Sequence, residues 1–167
     1  MPLPQRLSPY LTDAAADSAV GLVTSGAGGK LNVMTASFFA ESSHLPVLLR
    51  VAIAPRSLTH ELIAASGWFG LSVLCQGHEA LALECGSVSG RETPKLERLG
   101  GSHQLSPNGV PLLPNALTTS ECKVISSLPL PDHVLFIGEV KSSFTQSRLS
   151  YRDPLLVSDL LAYLARA

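Results

Sequence analysis

Asn32-Val33-Met34-Thr35-Ala36-Ser37-Phe38-Phe39 is the stretch on which the reading of this chain turns. It reads as a β-strand, yet small and hydroxylated residues stand where bulky branched ones are usual. A strand with so little side chain lets a ligand press against the backbone, whose N–H groups can donate to it. About twenty residues later, Arg56-Ser57-Leu58-Thr59-His60 opens a helix with a cation and two hydroxyls. Helix N-termini carry free N–H donors and a partial positive charge, which makes this a seat for a phosphate. A surface for a flat ring beside a seat for a phosphate points to a nucleotide-like cofactor. Taken singly, each feature has a plainer reading: an edge strand with incidental polar residues, and hydroxyls that only cap a helix.

Outward from that stretch, the chain reads as short strands with a few inserted helices. Ser8 to Ala19 is expected to form a short helix and Val20 to Thr24 a strand, followed by a turn over Ser25 to Lys30. The glycines of Gly26-Ala27-Gly28-Gly29-Lys30-Leu31 invite a dinucleotide-binding reading. That fingerprint needs a third glycine where Leu31 stands, a helix afterwards and an acid about twenty positions on, and none is present. Val47 to Ile53 is almost wholly apolar apart from Arg50, which predicts a strand buried on both faces. Ser57 is the predicted N-cap of a helix that stops at Gly67, Trp68 to Leu74 a strand, and Glu79 to Cys85 a short helix. Thr93-Pro94 starts a helix to Leu99, halted by Gly100-Gly101. Ala116 to Leu128 and His133 to Phe144 alternate as strands about a hairpin connection at Pro129-Leu130-Pro131-Asp132. Asp153-Pro154 opens a last helix, 154–166, with Leu156, Leu160 and Leu164 at spacing four. This order fits a mainly β small barrel with peripheral helices, built as one domain over 1–167 with its core at about 20–145.

Composition narrows the function classes. Charged residues make up 15% of the 167 and hydrophobic ones 46%, where roughly 25% charged is usual. So few charges imply extensive burial, part of it between subunits, and a homodimer is expected. The formal net charge of −1 leaves no basic footprint for nucleic acid or a membrane surface. No apolar run approaches the roughly twenty residues of a membrane span, and Met1 to Arg6 lacks the apolar core of a secretion signal. Cys75, Cys85 and Cys122 form no C-x-x-C pair, and their odd number argues against a disulfide framework. They read as buried thiols in a reducing compartment, the cytoplasm. His44, His60, His78, His103 and His133 show no metal-ligand spacing, so no metal site is expected.

Several motifs, in this order, resemble the flavin reductase-like family of FMN-binding split barrels. They are Asn32-x-Met34-Thr35-Ala36-Ser37, Arg56-Ser57-Leu58-Thr59-His60-Glu61-Leu62-Ile63, and Ser66-Gly67-x-Phe69. Leu81-Ala82, Ser89-Gly90-Arg91 and Lys95 follow, then Asp132-His133-x-Leu135-Phe136-Ile137-Gly138-Glu139-Val140. The resemblance implies a split β-barrel homodimer with FMN near the subunit interface, FAD being the alternative flavin. It implies that Asn32, Met34, Thr35, Ala36, Ser37 and Phe38 run along the isoalloxazine. Ser57, Thr59 and His60 would take the phosphate, assisted by Arg91 and Lys95. His133 would lie where a nicotinamide approaches, as the residue that orients it. Pro94 stands where the family often has an acid, and the chain after Phe144 departs from the usual closing strand.

The expected activity is hydride transfer from NADH or NADPH to flavin, with the flavin supplying the difficult chemistry. The alternative is an FMN-holding electron carrier that serves protein partners without nicotinamide activity. A third reading is a barrel without flavin that binds another small molecule or protein. A monooxygenase or other electron-accepting protein is the expected partner class for reduced flavin.

Overall fold

In the computed structural model, which describes residues 16–99, 102–146, 148, 149 and 152–166, the opening stretch is two strands rather than one. The strands are β1 (Gly21–Ala27), β2 (Lys30–Ala36), β3 (Phe39–His44), β4 (Val47–Ile53), β5 (Trp68–Val73), β6 (Gln104–Leu105), β7 (Pro111–Leu112), β8 (Thr118–Pro129) and β9 (Val134–Thr145). The helices are α1 (Leu58–Ser66), α2 (Glu79–Ser87), α3 (Lys95–Arg98) and α4 (Val157–Leu164). Seven strands make one antiparallel sheet in the order β2-β1-β5-β8-β9-β4-β3.

That order places β2 and β3 at opposite edges, although only Ser37 and Phe38 separate them in sequence. Laid flat, seven strands would hold their edges about 29 Å apart. Three Cα steps reach about 11 Å at most, so the sheet must curl until its edges meet. Packing across the seam confirms the curl: a Cβ added to Gly21 on β1 would lie 2.9 Å from the Phe39 ring on β3. The result is the mainly β split barrel with peripheral helices that the sequence implies.

Two apolar cores follow from the period of two along these strands. Val23, Val51, Ile53, Phe69, Leu71, Cys122 and Phe136 fill the barrel, and Ile63 of α1 packs against them. Leu22, Val33 and Leu74 point the other way and meet Ala82 and Cys85 of α2, Leu96 of α3, and Leu155. β1 is thus buried on both faces over Gly21 to Gly26. β4, for which double burial is expected, buries only Val51 and Ile53, while Val47 and Arg50 are exposed. The helices pack outside β1 and β2, leaving the outer side of β4 without a covering layer.

Ser57 caps α1 by accepting from the His60 N–H at 3.1 Å, and Gly67 closes it in the left-handed region at φ 73. Two glycines with positive φ, Gly28 and Gly29, make the tight turn between β1 and β2. The last helix starts later than its expected position at Asp153-Pro154. Leu155 is held in extended pairing, accepting from Val20 N at 2.7 Å and donating to Leu74 O at 3.0 Å. Asp159 then caps α4 by accepting from Leu156 N at 2.9 Å. The Thr93-Pro94 helix shrinks to the four residues of α3. Most of the helix expected over Ser8 to Ala19, and the Gly100-Gly101 stop, lie outside the described residues. No described helix is long and apolar enough to cross a membrane.

Gly138 on β9 has no room for a side chain, because an added Cβ would lie 2.6 Å from the Phe69 ring and 2.7 Å from the Cys122 Cβ. Gly138→Ala is therefore expected to cost about 1–3 kcal/mol in a urea titration. A loss indistinguishable from zero would contradict this packing.

Candidate functional site

β2 supplies one wall of a pocket of about 380 Å³, through Asn32, Met34 and Thr35. The turn into α1 supplies Ala54, Arg56, Ser57 and Leu58, and the run after the core of α2 supplies Cys85 to Gly90. Lys95 of α3 completes it. Residues from four separate elements therefore meet because β2 packs against α1, α2 and α3.

Small residues make the close approach feasible. A Cβ on Gly86 would lie 3.2 Å from the Thr35 Cβ, and one on Gly90 would clash with Asn32 Oδ1. The Gly86-Ser87-Val88-Ser89-Gly90 run thus lies against β2 at both ends, with Thr35 also donating from its hydroxyl to Ala82 O. Asn32 is 3% exposed, and its Nδ2 donates to the buried Thr59 Oγ1 at 2.9 Å. Thr59 therefore orients Asn32 from behind the pocket and does not line it.

The electrostatics favour an anion. Lys95 is 5% exposed, and its ammonium donates to Cys85 O at 2.7 Å. Burial pushes its pKa below the ordinary value, and a negative ligand would offset that desolvation. An ammonium has three donors, and a carbonyl partner leaves its charge uncompensated. The first amides of α1, at Leu58 and Thr59, have no acceptor within the helix, and the helix dipole adds positive potential at the same end. Arg56 brings a further cation. Cys85 lines the pocket, but burial pushes its thiol up to about 11 against the opposing effect of Lys95. It is a neutral thiol near pH 7, not a nucleophile.

Asn32, Met34, Thr35, Ser57 and Lys95 of the expected site residues line the pocket together. Ala36 ends β2 beyond it, and Ser37 and Phe38 form the crossing to β3. Phe38 is 63% exposed, and its ring meets His133 edge-on at 5.4 Å. His133 Nδ1 lies 2.9 Å from Asp132 Oδ1, and that hydrogen bond lowers the pKa of the fully exposed Asp132. β2 runs about 13 Å from Asn32 to Ala36 at strand rise, and the Phe38–His133 contact lies beyond that end. His60 packs its ring at 5.5 Å on Phe136 and lines no part of the pocket. Arg91 pairs with Glu61 at 2.9 Å and lines an adjoining cavity. Arg56, read as the cation of the phosphate seat, lines the pocket, and so do Gly86, Ser87 and Val88, which were not singled out as site residues. The glycine-serine run was the legible signal, since it shares the low side-chain bulk of β2.

Residues 14–160 match the family described as Flavin reductase like domain. The FMN reductase (NADH) of Methylorubrum extorquens is 32% identical, over 85% of this chain and 66% of that protein. The reductase component of an FADH(2)-dependent resorcinol hydroxylase from a Rhizobium species is 32% identical, over 66% of this chain and 60% of its own length. An FMN-binding protein from Thermus thermophilus, crystallised with p-hydroxybenzaldehyde, superposes with a TM-score of 0.78 at 28% identity, over 93% of this chain and 86% of that one. The chain spans 48% of the length of a curated relative from Aeropyrum pernix.

The buried Asn32–Thr59 bond yields a test. Thr59→Val keeps the shape but strands the Asn32 amide, which is expected to cost about 1–3 kcal/mol of stability in denaturant. Thr59→Ser keeps the acceptor and should recover most of that loss.

Proposed function

The chain belongs to the flavin reductase like family, and from that premise we propose that it is an FMN-binding oxidoreductase that reduces flavin with a nicotinamide dinucleotide. The observation that carries the reading is the pocket joining a buried lysine and a helix N-terminus to a strand of small residues. One end suits a phosphate and the other a flat ring.

The residues fit the flavin. Lys95, Ser57 and the opening amides of α1 would hold the phosphate, a charge-assisted arrangement. Backbone donors from Thr35 to Phe38 would face the polar edge of the ring and stabilise negative charge as preorganised dipoles. When bound, the flavin supplies the acceptor, N5, for hydride from nicotinamide C4. Phe38 and His133 stand where the ring end of the line emerges, and His133 would orient the nicotinamide there. Asp132 holds the His133 ring in place through its Nδ1. No nucleophile is required, which suits a pocket whose thiol is neutral.

Delivery of reduced flavin to an oxygenase is the proposed physiological role, supported by the likeness to a hydroxylase's reductase component. A homodimer is proposed as well. The outer half of the β8–β9 hairpin leaves Ile125 at 52%, Leu128 at 53% and Leu130 at 40% exposure, apolar surface of the kind that interfaces cover. Three free buried cysteines suit a reducing compartment, and the cytoplasm is the proposed location.

The test is anaerobic mixing of protein and FMN with NADH or NADPH while the blue flavin absorption is followed. Bleaching well above the protein-free rate is expected, and the faster nicotinamide identifies the physiological one. Flavin that binds yet stays oxidised would overturn the reductase reading in favour of an electron carrier. Lys95→Gln should weaken FMN by roughly tenfold or more and leave riboflavin, which lacks the phosphate, unchanged. His133→Ala should slow reduction at unaltered FMN affinity, and a parallel loss of both would contradict its assignment.

A further inference from the structure

Along β8 the inward-facing positions run Cys122, Ser120, Thr118, and of these Cys122 belongs to the barrel core. Ser120 lies opposite Leu71 of β5, Thr118 opposite Val73, and Ser143 of β9 opposite Ser120. On the far wall Glu41 of β3 lies opposite Leu49 of β4. Past its packed core the barrel therefore ends in a layer that mixes aliphatic side chains with hydroxyls and a carboxylate. That layer encloses a cavity of about 440 Å³, a size usual for small-molecule sites, which favour barrel mouths. The cavity lies where β5 ends and shares no lining residue with the pocket beside α1.

We propose that this open end of the barrel is a second ligand site, which takes a small aromatic molecule bearing a hydroxyl and an alkylammonium group. Leu49, Leu71, Val73 and Val140 give it apolar walls and Phe39 an aromatic one, so burial of a ring is favourable there. Ser120 Oγ and Ser143 Oγ bond each other at 2.9 Å. A hydroxyl has one donor and two acceptor sites, so the pair keeps both kinds for a hydroxyl of the ligand.

Glu41 is the one charged residue among those that line the cavity. Its Oε1 is 2.6 Å from Nδ1 of the exposed His44, and its Oε2 has no partner among the described residues. A carboxylate in this place attracts cations and repels anions, and the Phe39 ring adds to the attraction for an ammonium. In the order β8-β9-β4-β3, Glu41 stands three strands from Ser120, about 14 Å along the curled sheet. The hydroxyls and the carboxylate would thus meet opposite ends of one molecule, with its ring between them.

The experiment is calorimetric titration of the purified protein with tyramine, a cation, with neutral p-cresol, and with the anion 4-hydroxyphenylacetate, each with and without saturating FMN. Tyramine is expected to bind about fivefold tighter than p-cresol, the modest gain of a half-exposed ion pair, and the anion most weakly. FMN should leave these affinities unchanged. Glu41→Gln should remove the preference for tyramine, and Val47→Trp at the rim should block all the probes. Both positions are exposed, so the core is untouched. Displacement of tyramine by FMN would assign its binding to the pocket beside α1 and overturn the proposal. Failure of tyramine to bind, equal affinity for the cation and the anion, or a Glu41→Gln chain that still prefers tyramine would overturn it too.

Discussion

The rest of the molecule depends on the two-residue crossing at Ser37-Phe38. Because so short a link joins the outermost strands of a seven-stranded sheet, the sheet cannot stay open. Curling gives the barrel an interior, and the same curl brings the start of α1 to the side of β2. Phe39 enters the interior across the seam and needs Gly21 beneath it. Phe38, one residue earlier, is left outside, where it meets His133. The crossing thus closes the core and also sets Phe38 against His133 beyond the end of β2.

The site is built by subtraction of side chains rather than by a catalytic cluster. Gly86 against Thr35 and Gly90 against Asn32 let the end of α2 and the loop after it run close along a strand, and the space left over becomes the pocket. Two buried polar groups then set its chemistry. Thr59 fixes Asn32, and Cys85 O fixes the Lys95 ammonium. A buried cation that finds, among the described residues, a backbone carbonyl and no carboxylate is unfavourable in the free protein. An anionic ligand that completes its coordination relieves that cost, which links local stability to binding.

Local chemistry made much of this legible in the sequence. Ser57 and Gly67 cap α1 as their residue types require, and the β8–β9 hairpin follows its proline-rich connection. The resemblance of the ordered motifs gave the split barrel and the flavin. What failed to show was long-range. Asn32 to Phe39 read as a single strand because nothing in its composition marks the break at Ser37-Phe38; only closure of the sheet demands it. Thr59 looked like a ligand contact, since a hydroxyl at a helix start gives no sign of which side it faces. Arg91 reads as a phosphate ligand because its partner Glu61 lies thirty positions away on α1. Leu155, read as part of a helix, is held in extended form by Val20 and Leu74, again a contact between distant segments.

β2 is proposed as the track along which a flavin lies, with its phosphate at α1 and Lys95. A crystal structure of the chain with flavin bound tests it most directly. The phosphate is expected within hydrogen-bonding reach of Ser57 and Lys95, and the isoalloxazine edge against the backbone from Met34 to Ser37. A flavin seated elsewhere, or one whose phosphate lies at the Phe38 end, would contradict it.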